Sequence, residues 1–180
     1  MRTTVHKWFW AWNFEGEEKW LNEMAAKGLT LVSVGWCRYD FEKTDPGEYR
    51  VAMEMLEHRP NHPESVNYLE FLEDTGVEMV GSYMRWVYFR KKAADGEFEL
   101  FSDYPSRIKH LARILWLLGI LAGCNFYAAL YNLFCWFQWH ETISLVGSLI
   151  SFTMTALLTY GIVRIGIKAR RMKKEMQIYE

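Results

Sequence analysis

The side chains whose spacing comes closest to a reactive or binding centre are two histidines, His58 and His62, in the segment HRPNH. Imidazoles four positions apart can hold a transition metal when a helix aligns them and further ligands complete the shell. Pro60 and Pro63 oppose a regular helix here, and no cluster of cysteines or carboxylates accompanies the pair in the sequence. We therefore expect an ordinary polar loop and no metal site.

Two other groups suggest catalysis more weakly. His6 and Cys37 could form an imidazole–thiol pair, but nothing in the sequence places them together. Glu15, Glu17 and Glu18 could act as acids or bases, yet three carboxylates also suit the positive first turn of a helix, where we expect them to be solvated. The sequence contains no phosphate-binding glycine loop, no dinucleotide-binding glycine pattern and no nucleophile elbow. It therefore predicts no catalytic residues and no cofactor.

Aromatic residues are the more distinctive feature, most densely in the segment KWFWAW at Lys7–Trp12. If this segment lies in a strand, alternation puts its three tryptophans on one face. Extending the alternation to the later strands gives a surface of seven residues: Trp8, Trp10, Trp12, Trp36, Arg38, Trp86 and Tyr88. Large exposed apolar surfaces usually mark an interface or a ligand groove. We predict that this face binds a protein partner or an apolar small molecule.

The hydrophobic pattern places these residues on an α+β scaffold. It predicts strands at 3–12, 29–41, 48–56 and 77–92, helices at 14–27 and 64–75, and a short hairpin arm at 97–101. Asn13 suits the N-cap of the first helix, and Gly28 and Gly76 suit the two helix ends. The order βαββαβ is that of the ferredoxin-like fold, in which the helices cover one sheet face. The spacing of Leu21, Met24 and Gly28 recurs 48 positions later as Leu69, Leu72 and Gly76, which indicates two related halves.

Charge divides the chain unevenly. Residues 1–106 carry 12 basic and 19 acidic side chains, a formal charge of −7, whereas residues 107–180 carry +6. An acidic domain argues against nucleic-acid binding, which depends on neutralising phosphates. The cysteines Cys37, Cys124 and Cys135 are odd in number and follow no disulfide pattern, so we expect reduced cysteines packed as small hydrophobic residues.

Two uncharged runs near the C-terminus predict a transmembrane hairpin. They span residues 114–137 and 143–163, 24 and 21 residues, and about 20 helical residues cross a bilayer core. The predicted organisation is a cytosolic domain at 1–104, a helical joint at 105–113, the two spans with an external loop at 138–142 between them, and a basic tail at 164–180. Lysine and arginine flank the spans but are absent from the loop, which predicts that both termini are cytoplasmic.

Small and polar residues inside the spans have two interpretations. The set comprises Gly119, Gly123, Asn125, Asn132, Ser144, Ser148 and Ser151. Such residues let helices approach closely and hydrogen-bond to one another, so we expect them to hold helices together. The alternative is a polar path through a homo-oligomeric transporter or channel. No acidic or basic residue lies in mid-span, although ion routes usually contain one.

Three segments also resemble a known family. KWFWAWNFEGEEKWLNEMAAKGLTL, GEYRVAMEMLEHRPNHPES and GSYMRWVYFRKK are similar to the DUF2812 family of bacterial membrane proteins, over roughly residues 5–110. The family has no known function and contributes no catalytic residues. The resemblance implies a location in a bacterial inner membrane. It also implies genes that neighbour PadR-like transcriptional regulators, and hence a regulatory role. We predict a non-enzymatic membrane sensor or accessory regulator; a transporter subunit and an enzyme acting on lipids or small hydrophobic substrates are the alternatives.

Overall fold

A computed structural model describes residues 2–96, 98, 100 and 104–179. The chain divides into two compact units, Met1–Asp103 and Tyr104–Glu180. The first is a mixture of helices and antiparallel sheets, and the second consists of two long apolar helices. The predicted α+β class with a following helical hairpin is confirmed. The hairpin arm predicted at 97–101 falls largely outside the described residues.

Within its described residues, the N-terminal unit contains six strands and two α-helices. In chain order they are β1 (Arg2–His6), α1 (Phe14–Ala26), β2 (Leu29–Gly35), β3 (Arg38–Lys43), β4 (Tyr49–Met55), α2 (Pro63–Asp74), β5 (Glu78–Tyr83) and β6 (Trp86–Lys92), with short 3-10 turns at Ala11–Asn13 and Ala93–Asp95. The strands form two antiparallel sheets of three, in the spatial orders β1-β3-β2 and β4-β6-β5.

The strand count differs from the four strands of the ferredoxin-like prediction. The predicted strands at 29–41 and 77–92 are each a hairpin, β2–β3 and β5–β6, closed by a two-residue turn. The turn residues are Trp36-Cys37 and Met84-Arg85, in which Cys37 and Met84 have φ of 51° and 57°. Glycine or asparagine normally occupies such turns, and their absence from both turns concealed the two reversals. The order is therefore βαβββαββ instead of βαββαβ.

The segment Lys7–Trp12 is not a strand, contrary to the prediction. β1 ends at His6, and the chain then runs irregularly into the 3-10 turn at Ala11–Asn13. The last backbone hydrogen bond toward β3 joins Lys7 N to Cys37 O at 3.0 Å. Asn13 begins α1 without a capping hydrogen bond from its side chain, whereas His62 does cap α2, and Pro63 occupies its first position as expected.

The repeat suggested by the sequence extends through the whole β2–β3 and β5–β6 region. Gly28 and Gly76, 48 positions apart, end the two helices with φ of 78° and 81°. Register irregularities occur between Leu31 and Ser33 in one hairpin and between Met79 and Gly81 in the other, again 48 positions apart. Each half of the unit is thus a βαββ motif, and the predicted internal relationship is confirmed.

The N-terminal unit has two hydrophobic cores, of which the first draws residues from both halves and the second from the second half. The first core contains Leu21, Leu31, Tyr39, Phe41, Val51, Met53 and Tyr88. The second contains Leu56, Leu69, Leu72, Val77, Val87 and Phe89. Along β6, Tyr88 enters the first core while its neighbours Val87 and Phe89 enter the second, so both faces of this strand are buried. The expectation that the helices leave one sheet face free is wrong here, because α1 and α2 contribute to cores on opposite faces.

Side chains of α1 also hydrogen-bond the backbone of β4, whose other edge pairs with β6. The Asn22 amide accepts from Val51 N at 3.0 Å and donates to Val51 O at 2.7 Å. The Glu18 carboxylate accepts from Met53 N at 3.0 Å. Polar side chains of α1 therefore hydrogen-bond the backbone groups at this edge of β4, with which a neighbouring strand could otherwise pair.

The equivalent glycines provide a matched stability test. A Cβ added at Gly28 would lie 2.8 Å from Thr44 O, a backbone atom that cannot move aside cheaply, whereas no described atom comes within 4 Å of one added at Gly76. Both substitutions incur the left-handed backbone penalty of about 1–2 kcal/mol, and only Gly28→Ala adds a clash. We expect Gly28→Ala to lower the thermal unfolding midpoint clearly more than Gly76→Ala does. Equal decreases in the thermal unfolding midpoint of the two variants would contradict the predicted contact between the added Cβ at position 28 and Thr44 O.

The second unit consists of α3 (Tyr104–Trp139) and α4 (Thr142–Tyr179), joined by His140-Glu141. Both helices are long and apolar enough to cross a membrane. Only 22% and 17% of their most apolar windows are buried, which is unlike the core helices of soluble proteins. The predicted helical joint is the first part of α3, which continues into the first apolar run.

Three of the predicted packing residues lie where α3 meets α4. Ser148, 1% exposed, donates its hydroxyl to Ala129 O across the helices at 3.0 Å, and Ser144 is also buried. Asn132 lies opposite Gly147, with its amide oxygen 3.3 Å from the position of an added Cβ. A small residue at position 147 therefore lets the helices approach closely.

The other predicted packing residues contribute less inside the hairpin. Gly119 and Gly123 are exposed, and no described atom lies within 4 Å of an added Cβ at either. Asn125 is half-buried and donates to Leu121 O of its own helix, and Ser151 is half-buried. The paired glycines therefore face away from α4, toward whatever surrounds the hairpin.

Candidate functional site

Five aromatic side chains form a continuous group that we call the aromatic cluster: Trp8, Trp10, Trp12, Trp36 and Tyr83. The ring centroids of Trp8 and Trp10 lie 5.5 Å apart, and Trp8 meets Trp36 edge-on at the same distance. Trp10 stacks on Trp12 at 4.7 Å, and Trp36 contacts Tyr83 at 5.4 Å. These separations are typical of attractive aromatic pairs, so the rings support one another's positions.

The cluster is open to solvent on one side. Trp8, Trp10 and Trp36 are 51%, 38% and 63% exposed, and Met84 in the neighbouring turn is 71% exposed. Trp12 is buried and provides the base on which Trp10 stacks. Tryptophans are usually well buried, so three partly exposed rings in contact form an unusual surface.

Three structural elements position the cluster. Trp8 and Trp10 lie in the irregular segment after β1, which the Lys7 N to Cys37 O hydrogen bond ties to the β2–β3 turn. Trp36 projects from that same turn, and Tyr83 is the last residue of β5. The Lys7 ammonium lies 4.8 Å above the Phe9 ring and 4.4 Å above the Trp20 ring. These cation–π contacts hold Lys7 against two half-buried rings that pack on the first core.

Four of the seven predicted surface residues come together in the cluster, and three do not. Trp86 is half-buried and packs against Phe14 at 5.9 Å, in the first core. Tyr88 is buried in the same core. Arg38 is exposed but is held in an ion pair with Asp40 at 2.9 Å. The assumed alternation along the strands placed Trp86 and Tyr88 wrongly, because both faces of β6 are buried in the two cores. It missed Tyr83, because β5 ends there at a turn that the sequence did not reveal.

The pair formed by Asp40 and Arg38 is a structural feature of the first sheet. The Asp40 carboxylate accepts from the Thr4 hydroxyl at 2.6 Å and from the Arg38 guanidinium at 2.9 and 3.2 Å. These hydrogen bonds, from Thr4 first and then Arg38, lower the pKa of Asp40. The carboxylate therefore stays charged and links β1 to β3.

A buried carboxylate lies in the first core. Glu17, 7% exposed, accepts hydrogen bonds from the hydroxyls of Tyr39 at 2.7 Å and Tyr88 at 2.6 Å. The expected solvated position of Glu17 is therefore wrong. Burial raises the pKa of Glu17, although the two hydroxyls oppose the rise, and burial also raises the pKa of both tyrosines. The Glu17 side chain joins α1 to β3 and β6 inside the core, and its burial fits a structural role.

The two histidines of HRPNH come closer together than the sequence indicated. The rings of His58 and His62 stack with centroids 4.1 Å apart, and His58 Nε2 lies 3.4 Å from the Glu64 carboxylate. One ligand atom from each of these three residues lies within 4.8 Å of the others. Glu64 was missed because it belongs to α2, whose first turn brings its side chain back toward the loop.

The three cysteines carry free thiols, which fits the expectation of reduced residues. Their burial is lower than expected, because Cys37 and Cys135 are half-buried and Cys124 is exposed on α3.

The fold and the aromatic surface define a class of protein. Its N-terminal α+β unit, built from two βαββ halves, presents an exposed aromatic cluster, and its C-terminal unit is a hairpin of two helices long enough to cross a membrane. The family model described as "Protein of unknown function (DUF2812)" matches residues 13–122. The chain belongs to the DUF2812 family, as the resemblance indicated. No curated protein and no solved structure matches the chain.

The family match includes parts of both units. It begins in the 3-10 turn before α1 and ends within α3. Trp36 and Tyr83 of the aromatic cluster lie inside the matched residues, whereas Trp8 and Trp10 precede them.

Proposed function

We propose that the protein is a non-enzymatic sensor or accessory regulator, anchored in a bacterial inner membrane, whose aromatic cluster binds a protein partner. The observation that carries this proposal is the contact between the exposed rings of Trp8, Trp10 and Trp36. Tryptophan and tyrosine are over-represented among the residues that dominate binding energy at protein interfaces. Mutual packing restricts their rotamers before binding, which lowers the entropic cost of association.

The exposure of the rings favours a protein partner over an apolar small molecule. Ligand pockets are concave and enclose most of the ligand. The Trp36 ring is 63% exposed and that of Trp8 51% exposed, as expected for rings on an open surface.

The second unit supports the proposed membrane anchor. The outward-facing apolar surfaces of α3 and α4 suit contact with lipid. Arginine and lysine lie in the ends of α3 and α4 that are distant from the connecting turn, whereas His140-Glu141 and its neighbours contain none. By the positive-inside rule both termini are cytoplasmic and the turn is external, so the aromatic cluster would meet cytoplasmic partners.

The contribution of the cluster is tested with the double substitution Trp8→Ala and Trp36→Ala in the full-length protein. Each ring is expected to contribute about 2 kcal/mol to binding, so partner recovery should fall by more than tenfold. The measurement is quantitative recovery of proteins cross-linked to the protein in native membranes. Phe71→Ala on α2 is the matched control, since this ring is 63% exposed but lies outside the cluster. Unchanged recovery with a folded double variant would reject the proposal.

A subunit of an oligomeric transporter or channel is the second candidate. The observation in its favour is that Gly119 and Gly123 face away from α4, where they could admit a helix of a second copy. A strictly monomeric particle in nanodiscs would eliminate it. An enzyme acting on lipids has less support, because the buried carboxylate of Glu17 is enclosed in the core.

A further inference from the structure

We propose that His58, His62 and Glu64 form a binding site for a divalent transition-metal ion, with Zn²⁺ as the representative ion. This inference is independent of the partner surface proposed above. Ligand atoms of the three residues lie within 4.8 Å of one another. Two imidazoles and one carboxylate form a ligand set that zinc accepts at about 2.0–2.2 Å, with a fourth position left for water.

The backbone around these residues is held in place. His62 N donates to Arg59 O at 2.9 Å, closing a turn, and Val66 N donates to His62 O at 2.9 Å, starting α2. Pro60 and Pro63 restrict the same segment. The prolines that argued against helical alignment therefore build a tight loop, which presents all three side chains within seven residues.

Small side-chain movements would bring the ligands to coordinating distance. Two ligands of a tetrahedral zinc ion lie about 3.4 Å apart, given metal–ligand distances of about 2.1 Å. His58 Nε2 and the Glu64 carboxylate are already 3.4 Å apart. The two imidazole planes differ by only 22°, so one ring must turn about its Cβ–Cγ bond to direct its lone pair at a shared ion. Both histidines are only partly buried, which leaves room for this rotation.

The existing contacts of the histidines do not compete strongly with a metal. His62 Nδ1 accepts from Glu64 N at 3.4 Å, a distance at the long end of hydrogen bonding. The contact of His58 with Glu64 is solvent-accessible, with side chains 40% and 77% exposed, and exposed polar contacts of this kind contribute little. The imidazole donors favour zinc, copper or nickel over calcium and magnesium, which prefer oxygen ligands.

The test is calorimetric titration of the full-length protein in nanodiscs, without a polyhistidine tag, using ZnCl₂ alone. We expect saturable binding of one ion per chain. His58→Ala and His62→Ala should each weaken the affinity at least tenfold, and Glu64→Gln should also weaken it. The control is His6→Ala, which removes an exposed imidazole from β1 and should leave the affinity unchanged.

A spectroscopic measurement identifies the ligands independently. Co²⁺ bound by two imidazoles and a carboxylate should give visible absorption that disappears in His58→Ala and in His62→Ala, and circular dichroism should show that both variants remain folded. Lack of saturable Zn²⁺ binding by the unsubstituted protein would overturn the proposal. Wild-type affinity in either histidine variant would overturn it as well.

Discussion

Glu17→Ala is expected to destabilise the N-terminal unit by about 3 kcal/mol. The substitution leaves the hydroxyls of Tyr39 and Tyr88 in the core without their shared acceptor, and each unsatisfied buried hydroxyl costs about 1–3 kcal/mol. The measurement is denaturant unfolding of the full-length protein in detergent, followed by tryptophan fluorescence. Glu23→Ala is the control on the same helix, since Glu23 is exposed, and should change the free energy of unfolding by less than about 0.5 kcal/mol. Equal effects of the two substitutions would refute the structural role of Glu17.

The pH dependence of the unfolding free energy of Glu17→Gln, compared with that of wild type, separates the effect of hydrogen bonding at position 17 from the effect of its charge. Burial raises the pKa of Glu17 in the folded protein, so the folded state holds a proton that the unfolded chain releases near pH 4.3. The stability contributed by this carboxyl is therefore fully present below the unfolded pKa and is lost as pH rises through the folded pKa. Because the amide introduced by the substitution stays neutral and still accepts from a tyrosine, the stability of Glu17→Gln relative to wild type should increase with pH above about 4.3. A difference in unfolding free energy between Glu17→Gln and wild type that stays constant with pH would argue against the raised pKa of Glu17.

Phe41→Ala is expected to lower the free energy of unfolding by about 3–5 kcal/mol, the usual range for removing a buried phenylalanine ring. Phe41 is fully buried in the first core. Phe89, its equivalent 48 positions later in the second core, is 1% exposed, and Phe89→Ala should have an effect of similar size. Phe71→Ala removes the same ring from an exposed position on α2 and should be nearly neutral. A comparable loss at Phe71 would show that the burial pattern is wrong.

The helices were predicted well because their boundaries are local. Gly28 and Gly76 adopt the left-handed conformation that ends each helix, and Pro63 begins α2. The apolar runs of α3 and α4 are long enough for both helices to be assigned from the sequence directly. The strands were harder, since Trp36-Cys37 and Met84-Arg85 make tight turns without the residues that usually reveal them.

The aromatic cluster and the burial of Glu17 depend on contacts between distant parts of the chain. Trp8, Trp10 and Trp36 were correctly grouped, but through an assumed strand that ends at His6. The burial of Glu17 depends on Tyr88, which lies 71 positions away, and no local pattern shows such a partner. The approach of Glu64 to the two histidines depends on the angle at which α2 leaves the loop. Sequence periodicity assigns residues to faces, whereas these sites depend on how the elements are joined.

The hydrogen bonds between the α1 side chains and the β4 backbone also protect the protein against self-association. An unprotected strand edge is a template on which a second chain can extend a sheet, the first step toward amyloid-like aggregates. Asn22 occupies both hydrogen-bonding groups of Val51, and Glu18 occupies the amide of Met53. Strand addition at this edge would first have to displace α1 and expose Leu21, which is fully buried. Helix α1, which completes the first core, therefore also prevents β4 from pairing with another copy of the chain.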